Sequence, residues 1–342
     1  MTRPTRARPV KESEAAPLTA RVFAQLADGR FHSGEELALA LGVSRSAIWK
    51  ATGALKDLGA TLHAVRNRGY RLAVASDPLE GDKIRGQLAR EVRDHVQRVE
   101  ALWSTESTNS VLSARPNPPP GSSEVCLAEY QSAGRGRRGR AWLAPPGGAI
   151  CLSLSWTFRE VPPDLGALGL VIGVCALRAL QELGVAGAAL KWPNDLLVGD
   201  RKLGGVLIEL RGESAGPACV VIGIGVNVAL GGSLLEKIAA LGLAATDLKS
   251  AGLEDVSRNT IAAALVSACL RGLVAFEREG LKPFAEEWRL ADALRGRSVD
   301  VTAGAGIARG LARGIDVHGA LLVETRQGVE RFIAGDVTVR AV

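Results

Sequence analysis

The chain is short of the residues that staple or metallate small domains. Its five cysteines, Cys126, Cys151, Cys175, Cys219 and Cys269, are scattered through 342 residues without C-x-x-C spacing, and its four histidines do not cluster. Neither a disulfide framework nor a zinc site is indicated, and no metal-binding residues are assigned. Free cysteines in apolar stretches fit a reducing cytoplasm. Long apolar runs are missing too. Runs such as residues 165–177 fall short of the roughly 20 residues that cross a bilayer, and the Arg-rich start has no apolar signal core, so neither membrane insertion nor secretion is expected. There is no internal repeat, and the only biased stretch, residues 116–121, reads as a stiff Pro-rich loop.

What is present is a globular composition, 47% hydrophobic and 23% charged, long enough for two or three domains. The net charge is +6, and residues 1–80 hold 12 Lys or Arg against 8 Asp or Glu. That asymmetry points to a polyanionic partner at the N-terminal end.

Residues 1–16 lack apolar periodicity and read as a mobile tail. Leu18, Val22, Phe23 and Leu26 recur at helical spacing, and Asp28-Gly29 ends that helix. Ser33 offers an N-cap for a short helix through Leu41, Gly42 breaks it, and Ser44 caps a third helix to about Leu58. Val43 and Ile48 are expected to face inward, leaving Arg45, Ser46 and Lys50 outward. Two helices joined by a tight glycine turn are the layout of a helix-turn-helix, whose second helix enters a DNA groove. Short strands at residues 61–64 and 70–74 around Arg66-Asn67-Arg68-Gly69 add a basic wing. The competing interpretation is a small helical cap whose basic residues are a solvated face.

Residues 75–83 form a polar linker, after which residues 83–99 read as a helix opening a new domain. Strands are expected at 125–128, 149–156, 188–191, 203–210 and 218–228, with helices at 165–183 and 256–280. From residue 298 five short runs with glycine turns suggest a small barrel.

The most informative segment runs from Gln131 to Trp142 and includes Gly134-Arg135-Gly136-Arg137-Arg138-Gly139-Arg140. It contains G-x-G-x-x-G, but a dinucleotide site needs a helix to start there, and Trp-Leu-Ala-Pro-Pro-Gly-Gly cannot continue one. The loop carries four arginines in six residues and is hard to order without an anion. Forked guanidinium donors suit phosphate, and glycine lets backbone fold closely over a ligand. Closure over a phosphorylated intermediate is the natural expectation; a basic loop contacting nucleic acid is the alternative.

In the second segment, Lys191-Trp192-Pro193-Asn194-Asp195 is followed by Arg201-Lys202-Leu203-Gly204-Gly205. A lysine at the mouth of a buried strand is costly unless it meets an anion, which makes Lys202 a candidate to hold a carboxylate and a phosphate together. A hairpin with incidental charges is the bland alternative. Ser107-Thr108-Asn109 supplies hydroxyls and an amide for a polar head group, or simply a helix cap. Gly223-Ile224-Gly225-Val226-Asn227 permits close ligand approach, or marks a bulge.

These segments, taken together and in this order, resemble the biotin protein ligase family, specifically its two-function members that also act as the biotin operon repressor. The resemblance runs from about residue 18 to the C-terminus and includes Phe31 to Glu35 at the entry to the helix-turn-helix. It implies an α+β multidomain fold: a winged helix-turn-helix (17–75), a linker (76–83), a mixed α/β ligase domain of the biotin/lipoyl type (84–294) and an SH3-like β-barrel (295–342). The extra tail, Ala141 and residues 143–148 depart from the family pattern; they leave substrate choice intact and bear on the dimer surface.

The resemblance further implies that biotin and MgATP form biotinyl-5′-adenylate, and that the acyl group passes to one lysine of a biotin carboxyl carrier protein such as that of acetyl-CoA carboxylase. By motif position, Lys202 and Arg137 serve catalysis, with Asp195 orienting or deprotonating the incoming amine. Ser107, Thr108, Asn109, Gln131, Arg135, Gly136, Arg137, Lys202 and Gly205 would form the biotin site. Arg138, Arg140, Trp142, Lys191, Asn194 and Asn227 would serve the nucleotide, Trp142 as an apolar wall. Arg45, Ser46, Trp49, Lys50, Arg66 and Arg68 would contact operator DNA, bound by a homodimer when the adenylate is present. A lipoate or octanoate acyltransferase and a transcription factor that only senses a ligand are the two rival readings.

Overall fold

The computed structural model describes residues 16–162, 164–211, 218–303, 306–333 and 337–341, so the tail expected at 1–16 lies outside the described residues up to residue 15. Helices α1 (Leu18–Leu26), α2 (Gly34–Leu41) and α3 (Arg45–Asp57) precede a hairpin of β1 (Leu62–Val65) and β2 (Gly69–Leu72). The start of α2 is a reciprocal cap: Ser33 Oγ accepts from the Glu36 amide at 3.1 Å, and the Glu36 carboxylate accepts from the Ser33 amide at 2.8 Å. Gly42, at φ 66°, ends α2 in the left-handed conformation, and Ser44 Oγ caps α3 by accepting from the Ala47 amide. Val22, Phe23, Leu26, Leu37, Ile48 and Leu55 close a core of their own, with Trp103 of the next domain packed against it.

The helix expected over residues 83–99 is in fact α4 (Gly81–Gln87), α5 (Arg90–Arg93) and the start of strand β3 (Val96–Thr105). Ile84, Leu88, Val92 and Val96 keep a spacing of four throughout and are all buried, which is why they read as one helix. Side chains break it. Ser267 Oγ takes the Ala89 amide, and the Arg93 guanidinium caps the carbonyls of Gly86 and Leu88.

Next come α6 (Thr108–Ser113), β4 (Ser123–Gln131), β5 (Ala149–Thr157), α7 (Leu168–Glu182), β6 (Ala188–Lys191), β7 (Asp195–Val198), β8 (Arg201–Arg211) and β9 (Cys219–Asn227), then α8 (Gly232–Ala240), α9 (Arg258–Glu279) and α10 (Ala285–Ala291). Seven strands form one sheet in the order β3-β4-β5-β9-β8-β7-β6, with β3 and β4 parallel and every other pair antiparallel. Strand β7 and helices α6, α8 and α10 have no counterpart among the expected elements.

Side chains alternate across a sheet, and here the two faces differ sharply. Val125, Leu127, Ile150, Leu152, Leu154, Ile222, Ile224 and Val226 pack into the main core with α7 and α9. The opposite face presents Cys151, Ser153, Gly205, Gly223 and Gly225, whose registers place them side by side, next to α6. The stretch Leu165–Glu182, which ends in α7, and helix α9 are long and apolar enough to cross a membrane by length and composition alone, but their apolar segments are 67% and 72% buried inside this domain.

Strands β10 (Ser298–Ala303), β11 (Gly306–Ile315), β12 (Leu321–Thr325), β13 (Gly328–Phe332) and β14 (Val337–Ala341) form an antiparallel sheet in the order β13-β12-β11-β10-β14. Its β11–β12 turn docks on the central domain: Trp192 Nε1 donates to the Gly319 carbonyl at 3.1 Å, and His318 Nδ1 lies 2.9 Å from Asp164 Oδ1.

Candidate active site and DNA-binding face

The small-residue face of the central sheet is a floor on which the sequence motifs converge. At its deep end Ser107, Thr108 and Asn109 open α6 and are all buried. Gln131 Oε1 accepts from the Thr108 amide at 2.8 Å and its hydroxyl at 3.2 Å. Ser153 Oγ lies 2.7 Å from Thr108 Oγ1 and donates to Asn109 Oδ1 at 2.6 Å. Asn109 Nδ2 then donates to Glu209 Oε2 at 2.7 Å. This is a buried array of neutral hydroxyls and amides ending in one carboxylate. A Cβ on Gly223 would stand 2.5 Å from Asn109 Oδ1, and one on Gly225 2.6 Å from the Trp142 ring, so both positions exclude larger residues.

The arginine loop sits over this floor. Two backbone bonds close it, Gly136 N–H to the Arg140 carbonyl (2.7 Å) and Trp142 N–H to the Gly134 carbonyl (2.8 Å). Arg138 takes φ 58°, in the left-handed region that is unusual for a side-chain-bearing residue and is common at ligand clamps. No helix follows Gly139, as the rejection of a dinucleotide site requires. The anion the loop was expected to need is partly supplied by the protein: Arg135 pairs with Glu209 at 3.3 Å and donates to Ser110 Oγ at 3.1 Å. Arg137 reaches Asn194 Oδ1 at 3.4 Å, bringing the two principal motifs together. Arg140 is exposed at the far end of the loop.

At the other end of the floor a cis Trp192–Pro193 bond turns the chain between Lys191, last in β6, and Asp195, first in β7. Lys202 Nζ pairs with Asp195 Oδ1 at 2.5 Å, the two side chains 40% and 25% exposed. The lysine lies along Gly205, where a Cβ would stand 3.4 Å from its ammonium. Asn194 Nδ2 donates to the Val206 carbonyl, fixing the turn to β8. Burial pushes the Lys191 ammonium below its ordinary value, Asp195 pulls the other way, and the cations Lys202, Arg297 and Arg340 add to the depression. Such a cation-crowded end is suited to receive an anion.

Asn227 is 5% exposed; its Nδ2 donates to the backbone carbonyl of Thr246 at 2.9 Å and reaches that of Lys202 at 3.5 Å, so it braces the start of the lysine's strand. Sequence reasoning missed Ser153 and Glu209. The signal for Ser153 was a hydroxyl inside a wholly buried strand, and Glu209 is the one carboxylate in β8. Among the described residues no group of three or more His, Cys, Asp or Glu is set to hold a metal ion. All five cysteines are buried and free, and burial pushes the thiols of Cys126 and Cys175 up to about 12.

On the N-terminal module Arg45, Ser46, Trp49 and Lys50 share the exposed side of α3, Trp49 at 67%. The wing turns at Asn67 (φ 63°) and Gly69 (φ 92°), with Arg66 and Arg68 exposed. Arg68 is held from below by Phe31, whose ring centre lies 4.3 Å from the guanidinium, an anchor the sequence did not single out.

A winged helix-turn-helix joined to a ligand floor with a cationic clamp defines an activating enzyme fused to a DNA-binding module. Residues 102–227 match the model of the biotin/lipoate A/B protein ligase family, residues 20–71 an HTH domain, and residues 295–340 the biotin protein ligase C-terminal domain. The bifunctional ligase/repressor BirA of Salmonella typhimurium is 38% identical over 95% of this chain and 98% of its own length; that of Bacillus subtilis is 30% identical over 92% and 96%. A solved biotin protein ligase from Aquifex aeolicus, in complex with biotin and ATP, superposes with a TM-score of 0.61 at 27% identity, covering 71% of this chain and 98% of that one. The chain belongs to the family of bifunctional biotin ligase/repressors.

Proposed function

We propose that the chain condenses biotin with MgATP to biotinyl-5′-adenylate and pyrophosphate, and then passes the biotinyl group to one lysine of a biotin carboxyl carrier protein, that of acetyl-CoA carboxylase being the expected acceptor. The observation that carries this reading is the shared floor. Neutral donors and acceptors occupy one end, the Lys202–Asp195 pair the other, and the arginine loop spans both.

In the first half-reaction a carboxylate oxygen attacks the α-phosphorus and pyrophosphate leaves. Two anions must meet, so fixed cations are needed where charge builds. Lys202 serves that point with Arg137, while Lys191, Asn194, Arg138 and Arg140 receive the nucleotide and Trp142 walls it. Ser107, Thr108, Asn109, Gln131, Arg135, Gly136 and Gly205 hold biotin. In the second half-reaction the carrier amine attacks the acyl carbon and AMP leaves, with Asp195 orienting the amine and taking its proton. Loop closure keeps water from the mixed anhydride.

The buried array also favours biotin over lipoate. A ureido ring offers both N–H and C=O, whereas a dithiolane would leave the array unpaired, a loss a binding site discriminates strongly. Biotin-dependent exchange of pyrophosphate into ATP tests the reading: exchange with biotin and little with lipoate is expected, and the reverse, or none with either, would overturn it.

Adenylate-bound homodimers then carry Arg45, Ser46, Trp49, Lys50, Arg66 and Arg68 onto a two-fold operator of biotin synthesis genes, with a domain division of 17–75, 84–294 and 295–342 around the linker at 76–83. Buried free thiols and the ATP-dependent chemistry support a cytoplasmic setting.

A further inference from the structure

The most heavily bonded charges outside the ligand floor lie where the DNA-binding module meets the central domain. Glu129 on β4 and Arg258 at the start of α9 pair at 2.9 Å, their side chains 6% and 3% exposed. Glu129 accepts from the Leu79 amide at 2.5 Å and from the Gly147 amide at 3.3 Å. Arg258 donates to the carbonyls of Asp77 (3.0 Å) and Ala149 (2.8 Å). Asp77 in turn accepts from Ser257 Oγ at 2.6 Å, the Arg258 amide at 2.9 Å and Asn259 Nδ2 at 2.7 Å. The stretch that reads as a polar linker is therefore bolted to α9, and Ser76 N–H donates to the Ala27 carbonyl at the end of α1.

Three paths meet at this one carboxylate. Glu129 lies two residues before Gln131, which holds Thr108 on the ligand floor. Gly147, which it also binds, lies at the exit of the arginine loop. A Cβ there would stand 2.8 Å from Ser76 Oγ and 3.0 Å from the Phe23 ring of α1, so loop exit, linker and first helix are in direct contact. The third path is the Leu79 amide of the linker. Burying two charges is costly, and apolar residues can replace such a pair without loss when only stability is needed. The buried Nε of Arg258 has no hydrogen-bond partner, so the joint is not fully satisfied in this arrangement.

We propose that the Glu129–Arg258 pair is the joint through which occupancy of the ligand floor sets the posture of the DNA-binding module. This rests on the ligase reading above and names how its site is regulated. As the loop settles over the adenylate, its exit at Gly147 moves against Ser76 and Phe23, and Glu129 holds linker and floor in one register. Neither residue touches substrate; both act as positioning residues.

Hydrogen exchange of the full chain with and without biotin and MgATP tests the joint. In the wild type the amides of residues 131–142 and of α1 both gain protection, by about fivefold or more. In Glu129→Gln and Asp77→Asn the first gain stays and the second disappears, while biotin-dependent pyrophosphate exchange holds within about twofold, inside the lower limit of a coupling effect. A wild-type response of α1 in both folded variants overturns the proposal, as does an α1 that never responds in a wild type whose loop does. If the loop itself gains no protection, the ligase reading fails first. Should Glu129→Gln not fold, Arg258→Lys, which keeps both charges but gives up the guanidinium bonds to the Asp77 and Ala149 carbonyls, is expected to lose the α1 response in the same way and decides the matter, a wild-type response overturning the proposal.

Discussion

Lys202 Nζ pairs with Asp195 Oδ1 at 2.5 Å, so the cation proposed for the first half-reaction rests on the carboxylate proposed for the second. The two cannot serve at once. On the proposed roles, a substrate carboxylate that drew Lys202 away would free Asp195 for the incoming amine, so that adenylation would precede transfer. Lys202→Ala is expected to lower biotin-dependent pyrophosphate exchange by about 100- to 1,000-fold, the cost of losing one charge-stabilising donor. Exchange at the wild-type rate in a folded protein would refute the role.

Asp195→Asn separates the halves. Transfer of biotin from preformed adenylate to a carrier domain should slow by about 100-fold or more, the usual contribution of a positioned base, and exchange should suffer less. Single-turnover assays of each half provide the check; equal losses in both would place Asp195 with Lys202 in the first step.

Arg137 ties the loop to the cis-proline turn through Asn194. Arg137→Ala should weaken retention of the adenylate by about 2 kcal/mol, near thirtyfold faster release, as expected for a charged hydrogen bond. Release of labelled adenylate without a carrier measures it, and unchanged leakage would remove the loop from the clamp.

The wing is tested by Gly69→Ala. At φ 92°, with a Cβ 2.0 Å from the His32 carbonyl, no side chain fits without unseating β2 from the segment before α2. Binding to a duplex selected by the wild-type protein with biotin and ATP should fall at least about tenfold, while exchange activity is unchanged. Intact binding would show that the wing does not touch DNA.

The linker joint should be acid-sensitive. Burial pushes the Asp77 carboxyl up, but hydrogen bonds from Ser257, the Arg258 amide and Asn259 outweigh it and hold the group below its ordinary value of 3.8. Its folded pKa is the lower one, so its contribution is complete above 3.8 and is lost as pH falls through the folded value. Urea midpoints from about pH 5 downward should therefore fall more steeply in the wild type than in Asp77→Asn, and parallel curves would contradict this.

Local chemistry was legible wherever one short segment carried its own instructions. Ser33 with Glu36, Gly42 and Ser44 define the helix-turn-helix because caps and left-handed turns are satisfied within a few residues. The arginine loop and the lysine segment declared their taste for anions in the same way, by residue type and spacing. Periodicity alone misled at residues 83–99, since a spacing of four survives two short helices and a strand that pack on the same core.

Sequence by itself determined the residue classes at the site, the division between a basic N-terminal module and an apolar central domain, and the family. Tertiary structure decided which face of the sheet becomes the floor, because alternation supplies two faces and only packing against α7 and α9 selects the apolar one for the core. It also decided the partners of Ser153, Glu209, Trp192 and Arg258. Each meets residues dozens to more than a hundred positions away, a distance over which no local pattern carries information and the folded chain alone closes the contact.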